Sequence, residues 1–286
     1  MKSYIREYEL TFVAADGTTK TFTQTNGKTG LMIDFDINKS KSDGKNEAII
    51  GITNPSRDTI AALQKEGVIT FKAGYKDDIA TIMIGEIESF VYEDDGANKR
   101  IELRILEGNT SYKNLLINRY YNIGATSIDI VADLVSHIIT YVPSVESANA
   151  YQLLDFNSYQ FPQVIYGNAY DKLGQILYPL GYEYFVNKGV LTIIKQNGFI
   201  RELEVTLNAD NGMIGSPKPI SETNDKKETV AGVEAKSILN YNMDIGRRLK
   251  IESQEINSTF RIDAVNFSGN SFEGEWIVNI KAYEIN

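Results

Sequence analysis

The chain has 286 residues, a formal net charge of −9 and no cysteine. The absence of cysteine excludes disulfides, thiolate metal sites and cysteine nucleophiles, and the acidic balance argues against broad binding to phosphate backbones, which Lys and Arg must neutralise. A chain of this length buries about 75% of its unfolded surface and has room for two or three domains. The opening MKSYIREYEL has no apolar h-region, and no later run reaches the length of a membrane span. A soluble protein with no signal peptide and no membrane insertion is expected.

Residues 4–12 and 20–25 alternate polar and apolar side chains, and Asp16-Gly17 between them is a hairpin signal. Further strands are expected over 31–37, with Ile33, Phe35 and Ile37 on one face, and over 47–53 after a polar turn. Asn54-Pro55-Ser56 then opens a short helix that Ser56 can cap and Gly67 stops. The stretch 67–92 is central. Ile69, Phe71 and Ala73 face one way, Val68, Thr70 and Lys72 the other; a turn at 74–78 interrupts, and alternation resumes at Ile79. Gly85 in this second run marks a bulge or a close backbone approach. After a turn at 93–96, residues 100–106 complete a unit of about seven strands, placed at 1–112 and read as a small barrel. Glu86, Glu88, Glu93, Asp94 and Asp95 invite comparison with a catalytic pair or a Ca²⁺ loop. Glu86 and Glu88 share the outward face of a strand, however, and Asp94-Asp95-Gly96 lacks EF-hand spacing. A solvated face and an ordinary turn are expected.

The periodicity changes after Tyr112. Ile130, Val131, Leu134, Val135, Ile138 and Ile139 recur at helical spacing behind a cap at Thr126 or Ser127, with Pro143 past the end. The single histidine, His137, lies beside this stripe. With no second His and no Cys it reads as a surface or half-buried helix residue, and Zn hydrolases and His-based triads have little to build on. Residues 150–166 are aromatic and irregular. A second helix opens at Asn168 and stops at Gly181, and a hairpin turning over Asn187-Lys188-Gly189 completes an α+β unit at 113–200.

In the last unit, 201–286, residues 207–217 read as a loop-rich bridge and 222–230 as a charged, mobile loop. Strands are expected over 232–239, 249–253, 260–265 and 276–283, forming a second barrel with Trp276 in its core. Arg247, Arg248 and Lys250 read as a solvated turn at a strand entry rather than a nucleic-acid patch. With 17 Tyr and 12 Phe against one Trp, a sugar-stacking face is disfavoured.

Three short motifs occur in order: Ile52-Thr53-Asn54-Pro55-Ser56, Ala73-Gly74-Tyr75 and Ile84-Gly85-Glu86-Ile87. They resemble the opening domain of the phage tail baseplate hub (tail protein D-like) family of tailed phages and related contractile particles. The order helix, extended segment, helix, hairpin in 113–200 is similar to that family's middle domain. Leu239-Asn240-Tyr241, Ile245-Gly246 and Gly274-Glu275-Trp276 resemble its closing domain, although Tyr241 and Ile245 stand where prolines are usual. The resemblance marks Asn54, Pro55, Gly74, Tyr75, Gly85, Asn240, Gly246 and Trp276 as structural motif positions. It implies a mainly β protein with an α+β insert, in which two small tube-like β-barrel domains flank a helix-and-hairpin domain.

The resemblance also implies a non-enzymatic hub, with no catalytic residue, cofactor or metal ligand. Such a hub is a homotrimeric ring that joins a sixfold tail tube or distal tail protein to a threefold central spike. It contacts other baseplate proteins and leaves a channel through which DNA passes. Its place is the tail baseplate of a virion or phage-like particle made in a bacterial cytoplasm. On this reading the chain ends just after the second barrel, without room for a fused spike or lysozyme domain. The rival expectations are a tail-associated cell-wall hydrolase, which needs a cleft with poised carboxylates, and a carbohydrate- or receptor-binding tail module.

Overall fold

The computed structural model describes residues 5–285 except 27, 42–45, 65, 97, 108–114, 143–144, 146, 149–157, 197, 201–203 and 224–228. The expected boundary at 112/113, Pro143 and the first part of the irregular 150–166 stretch lie outside the described residues.

The first third folds as β1 (Arg6–Ala14), β2 (Thr19–Gln24), β3 (Ile33–Ser40), β4 (Glu47–Thr53), α1 (Arg57–Leu63), β5 (Gly67–Tyr75), β6 (Asp78–Asp94) and β7 (Lys99–Leu106). The strands lie in the order β2-β1-β5-β6-β7-β4-β3. Alternation sets which face is buried: Tyr8, Leu10 and Phe12 on β1, Ile33, Phe35 and Ile37 on β3, Ile69, Phe71 and Ala73 on β5, and Ile101, Leu103 and Ile105 on β7 all point into the core. Ser56 caps α1 by accepting from the Thr59 N–H at 3.2 Å, and Asn54 adopts a φ of 53° at the turn before it.

β6 runs for 17 residues and is bent by two irregularities. Ile82 is an extra residue opposite Phe71 and Lys72, and Glu88 is another opposite Arg104 and Ile105. Gly85 lies between them as a close approach rather than as the bulge. A Cβ there would stand 2.8 Å from both the Ile105 side chain and the Leu106 carbonyl oxygen.

The middle third contains β8 (Leu116–Tyr121), α2 (Ser127–Tyr141), β9 (Ser147–Ala148), β10 (Gln163–Asn168), α3 (Ala169–Leu177), a 3-10 turn (Tyr178–Leu180), β11 (Tyr182–Asn187) and β12 (Val190–Lys195). Thr126 and Asp129 form a reciprocal capping box at the start of α2. Ile130, Leu134 and Ile138 of that helix pack with Leu173 and Leu177 of α3 and Leu191 of β12 in a core of their own. The end of the stretch expected to be irregular, residues 163–166, instead belongs to β10, which pairs with β8 as an antiparallel ribbon. Their polar and apolar side chains alternate over too few positions to stand out.

The last third has β13 (Glu204–Asn208), β14 (Lys218–Thr223), β15 (Thr229–Ile238), β16 (Arg248–Glu252), β17 (Asn257–Asn270) and β18 (Trp276–Tyr283). Three expectations are corrected here. Leu207 and Asn208, placed in a bridge, belong to β13, which runs parallel to β16. The 222–230 loop is strand at both ends, with Glu222 opposite Val230 and Thr223 opposite Thr229, while 224–228 lies outside the described residues. β14 reads as loop because it is an outermost strand of its sheet, where polar side chains are tolerated and protect the edge. Arg248 and Lys250 likewise sit on β16 itself rather than in a solvated turn, the Arg248 guanidinium lying 3.8 Å from the centre of the Phe199 ring.

The first and last thirds are joined by a strand pair that alternation alone does not reveal. To close a barrel on itself, β3 would have to meet β2; its free edge meets β17 instead, from Ser40 opposite Ala264 to Asp34 opposite Asn270. One edge of β17 serves β16 over its first residues and β3 over its last, with Asp263 as the bulged residue between them. The result is one 13-stranded sheet and one main core shared by both β regions. No helix among the described residues is long and apolar enough to cross a membrane.

Candidate functional site

Three of the sequence motifs converge where the two β regions meet. Gly74 and Tyr75 end β5, and Asp78 follows across a tight turn in which Asp77 has a φ of 63°. Trp276, only 4% exposed, donates its indole N–H to the Gly74 carbonyl at 3.1 Å, a hydrogen bond spanning 202 positions. A side chain at Gly74 would collide with the Asp78 carbonyl oxygen, which explains the glycine. Tyr75 lies beside the Leu239 backbone, and burial pushes its hydroxyl pKa up. Tyr241 donates its hydroxyl to Asp78. Arg6 closes the seam from β1: its guanidinium donates to the carbonyls of Asn270, Glu273 and Gly274 at 2.5, 2.7 and 2.5 Å and lies 5.6 Å from the Trp276 ring centre. Beneath them Phe71, Phe35 and Trp276 stack edge to face, with 5.1 Å between successive rings.

A second convergence holds the middle unit against both β regions. Lys39 of β3 and Asp244 are buried with their charged atoms 3.3 Å apart, and Lys188, from the β11–β12 turn, reaches Asp244 at 2.8 Å. Lys39 also donates to the Asn187 side-chain carbonyl at 2.7 Å. Beside them buried Glu107 accepts from Asn46 Nδ2 at 2.6 Å and from the Gly189 N–H at 2.8 Å. Burial lowers the Lys39 pKa to about 8 against the attraction of Asp244. Burial pushes Asp244 up, but Lys188 and Lys39 together hold it below the ordinary carboxylate range. Glu107 is pushed up by burial. Close by, Glu183 of β11 pairs with Lys41 and Arg261 at 2.9 Å each, and Arg261 also grips the bulged Asp263 at 2.6 Å. Gly246, with a φ of 78°, lets the Phe185 ring come where a Cβ would be 2.7 Å away.

Gly74, Tyr75 and Trp276 are thus brought together at the seam, with Asn240 in the adjoining turn, where its side chain accepts from the Asn242 N–H at 3.0 Å. Gly246 stands at the middle unit's contact, while Asn54, buried Pro55 and Gly85 lie elsewhere in the first β region. Lys39 and Glu107 were not singled out from sequence, although strand parity gives a signal for both. Lys39 continues the inward phase of Ile33, Phe35 and Ile37, and Glu107 continues that of Ile101, Leu103 and Ile105.

Two further surfaces stand out. The ribbon of β8 and β10 exposes Leu116, Tyr120, Val164 and Tyr166. The outer face of β3, β4, β6 and β7 is mainly polar and carries Asp34, Asp36, Glu47, Glu88, Glu93 and Glu102 against Arg100 and Arg104, with Ile49 and Val91 exposed among them. His137 is half-buried on α2, its Nε2 3.2 Å from the Leu116 carbonyl oxygen. Among the described residues no group of three or more His, Asp and Glu side chains is placed to hold a metal ion.

No protein-family model and no curated protein sequence matches the chain. Solved structures do. A tail protein from Neisseria meningitidis MC58 superposes with a TM-score of 0.64 at 10% identity, over 97% of this chain and 96% of that one. The 43 kDa tail protein of prophage MuSo2 from Shewanella oneidensis gives 0.62 at 11% identity, over 96% and 98%. The E. coli c3393 protein gives 0.61 at 13% identity, over 91% and 75%; it is described as a component of the type VI secretion system with structural similarity to T4 bacteriophage tail proteins gp27 and gp5. The chain has a mainly β, tail-protein-like fold.

Proposed function

We propose that this chain is a structural hub of a phage or phage-like tail baseplate. The observation that carries this reading is end-to-end likeness of fold, which spans 97% of this chain and 96% of a tail protein. The seam supports it, because three of the motifs that resemble a hub family, those of Gly74-Tyr75, Asn240-Tyr241 and Trp276, meet where the two β regions join. In this reading the protein is a virion or particle component without enzymatic activity, and it assembles with other tail and baseplate proteins.

The finer proposal is a ring of three chains. Each chain supplies two β regions, so three chains offer six positions to a sixfold tube while keeping threefold symmetry toward a central spike. The units 1–112, 113–200 and 201–286 are proposed as first β domain, middle domain and second β domain. The polar face of β3, β4, β6 and β7 is assigned to the channel wall. Its carboxylates outnumber its two guanidinium groups, which fits a surface past which DNA slides, since duplex DNA carries a phosphate charge per roughly 1.7 Å and adheres to basic surfaces. The exposed β8–β10 ribbon is an apolar patch of the kind that neighbouring proteins cover.

Electron microscopy of the purified protein, alone and with tube and spike proteins from the same particle, tests the reading. A threefold ring with Asp and Glu prevailing along its lumen is expected. A solid centre, or a lumen lined mainly with Lys and Arg, overturns it. Clearing of a peptidoglycan gel by the purified protein would overturn the non-enzymatic assignment.

A further inference from the structure

We propose that Lys39 and Asn187 react to form an intramolecular amide crosslink between β3 and the β11–β12 turn, with Asp244 as the proton carrier. Three features of the buried cluster point to this chemistry. The first is proximity. Lys39 Nζ lies 2.7 Å from Asn187 Oδ1, one bond from the amide carbon it would attack, and both residues are held by strands. The second is the position of Asp244, whose carboxylate is 3.3 Å from Lys39 Nζ and lies beside the Asn187 side chain. One group therefore stands next to both the nucleophile and the amide it would attack, within reach of the proton transfers that general acid–base catalysis requires.

The third feature is electrostatic. Lys39 and Lys188 share Asp244, and the Lys39 side chain has no solvent exposure at all. Burying an ammonium that shares its paired carboxylate with a second cation is unfavourable, and despite the attraction of Asp244 and Glu107 burial lowers the Lys39 pKa to about 8, which favours the neutral, nucleophilic amine. Lys188, 2.8 Å from Asp244, keeps that carboxylate ionised beside the Lys39 ammonium. The Phe267 ring, 5.8 Å from Lys39 Nζ, closes the apolar side of the site. A plain ion pair would leave the buried charge in place; amide formation removes it.

The step balances without any further reagent. Asp244 takes a proton from the Lys39 ammonium, and the freed amine adds to Cγ of Asn187. Asp244 passes that proton to Nδ2, the Cγ–Nδ2 bond breaks to release ammonia, and the ammonia carries off the extra proton of the attacking nitrogen as ammonium. An ammonium and a primary amide become a secondary amide and an ammonium ion. Nothing is oxidised or reduced.

The test is the intact mass of the full chain, measured under denaturing conditions after incubation in the folded state. The wild type is expected to be lighter than its encoded mass by one ammonia, and a protease digest should yield a branched peptide joining Lys39 to Asn187. Lys39→Arg and Asn187→Ala should each restore the full encoded mass, whether or not they fold well. A wild type at its full encoded mass overturns the proposal. So does a loss that persists in Lys39→Arg, which would assign it to cyclisation of an asparagine on its own backbone, for example at Asn211-Gly212.

Discussion

A single indole N–H links two stretches of chain 202 positions apart, which makes Trp276 the most informative side chain in the protein. Trp276→Phe keeps most of the ring but leaves the Gly74 carbonyl without its donor, for an expected loss of about 1–3 kcal/mol. Trp276→Ala also opens a cavity beside Phe35 and should cost about 3–5 kcal/mol. Urea titrations followed by far-UV circular dichroism would read both. Asp244 gives a second residue-scale prediction. Its folded pKa is held below the unfolded value, so its stabilisation is complete above the ordinary carboxylate range and disappears as pH falls through the folded value. The stability gap between wild type and Asp244→Asn should therefore narrow as the solution is acidified below about pH 3.9. Lys39 gives the opposite end of the scale. A free amine whose pKa is lowered to about 8 would add stability as pH rises from there toward the unfolded value. With Lys39 acylated this gain is absent, and wild type and Lys39→Met should show parallel slopes between about pH 8 and 10.4.

At the scale of elements, capping residues and alternation carry most of the information. Ser56→Ala should cost about 1 kcal/mol through the lost cap of α1, measurable in the same titrations. The strands of the first third, the capped start of α2 and the turn at Asn187-Lys188-Gly189 were legible because each is specified locally, by period, cap or turn residue. Lys188 and Gly189 adopt φ values of 55° and 74°, as such a tight hairpin requires. What stayed hidden was set by distant partners. β14 is polar because it ends a sheet, β10 is short and half exposed, and the β3–β17 pair has no local signature. The buried ionic cluster lay in a blind spot of another kind. Its strand parity was visible, but a charged residue at an inward position is normally taken as the end of a strand rather than as a contact with another unit. On the exposed ribbon, Tyr120→Glu combined with Tyr166→Glu should leave the unfolding midpoint nearly unchanged, since both side chains stand in solvent, and should abolish co-assembly with tail partners in sedimentation.

For the whole molecule, the shared core predicts how it comes apart. Phe185 of the middle unit packs in the main core with residues of both β regions, and Arg261, Glu183 and Lys41 tie the same place electrostatically. The two β regions should therefore unfold in one transition. Calorimetry and the fluorescence of the only tryptophan, which sits at the seam, should report the same midpoint. The β3–β17 pair has a further consequence, in time rather than in energy. β3 is complete at Ser40, yet its partner strand begins only at Asn257. At about 5–20 residues per second, a ribosome needs on the order of 10–40 s to make the intervening chain. Throughout that interval the nascent first β region presents β3 as an unpaired edge, the kind of edge that recruits strands from other chains. Neighbouring ribosomes on one message would hold several such edges close together. Until its own C-terminal strands emerge, each nascent chain is therefore open to pairing with its siblings, and any truncation before Asn257 leaves that edge permanently bare.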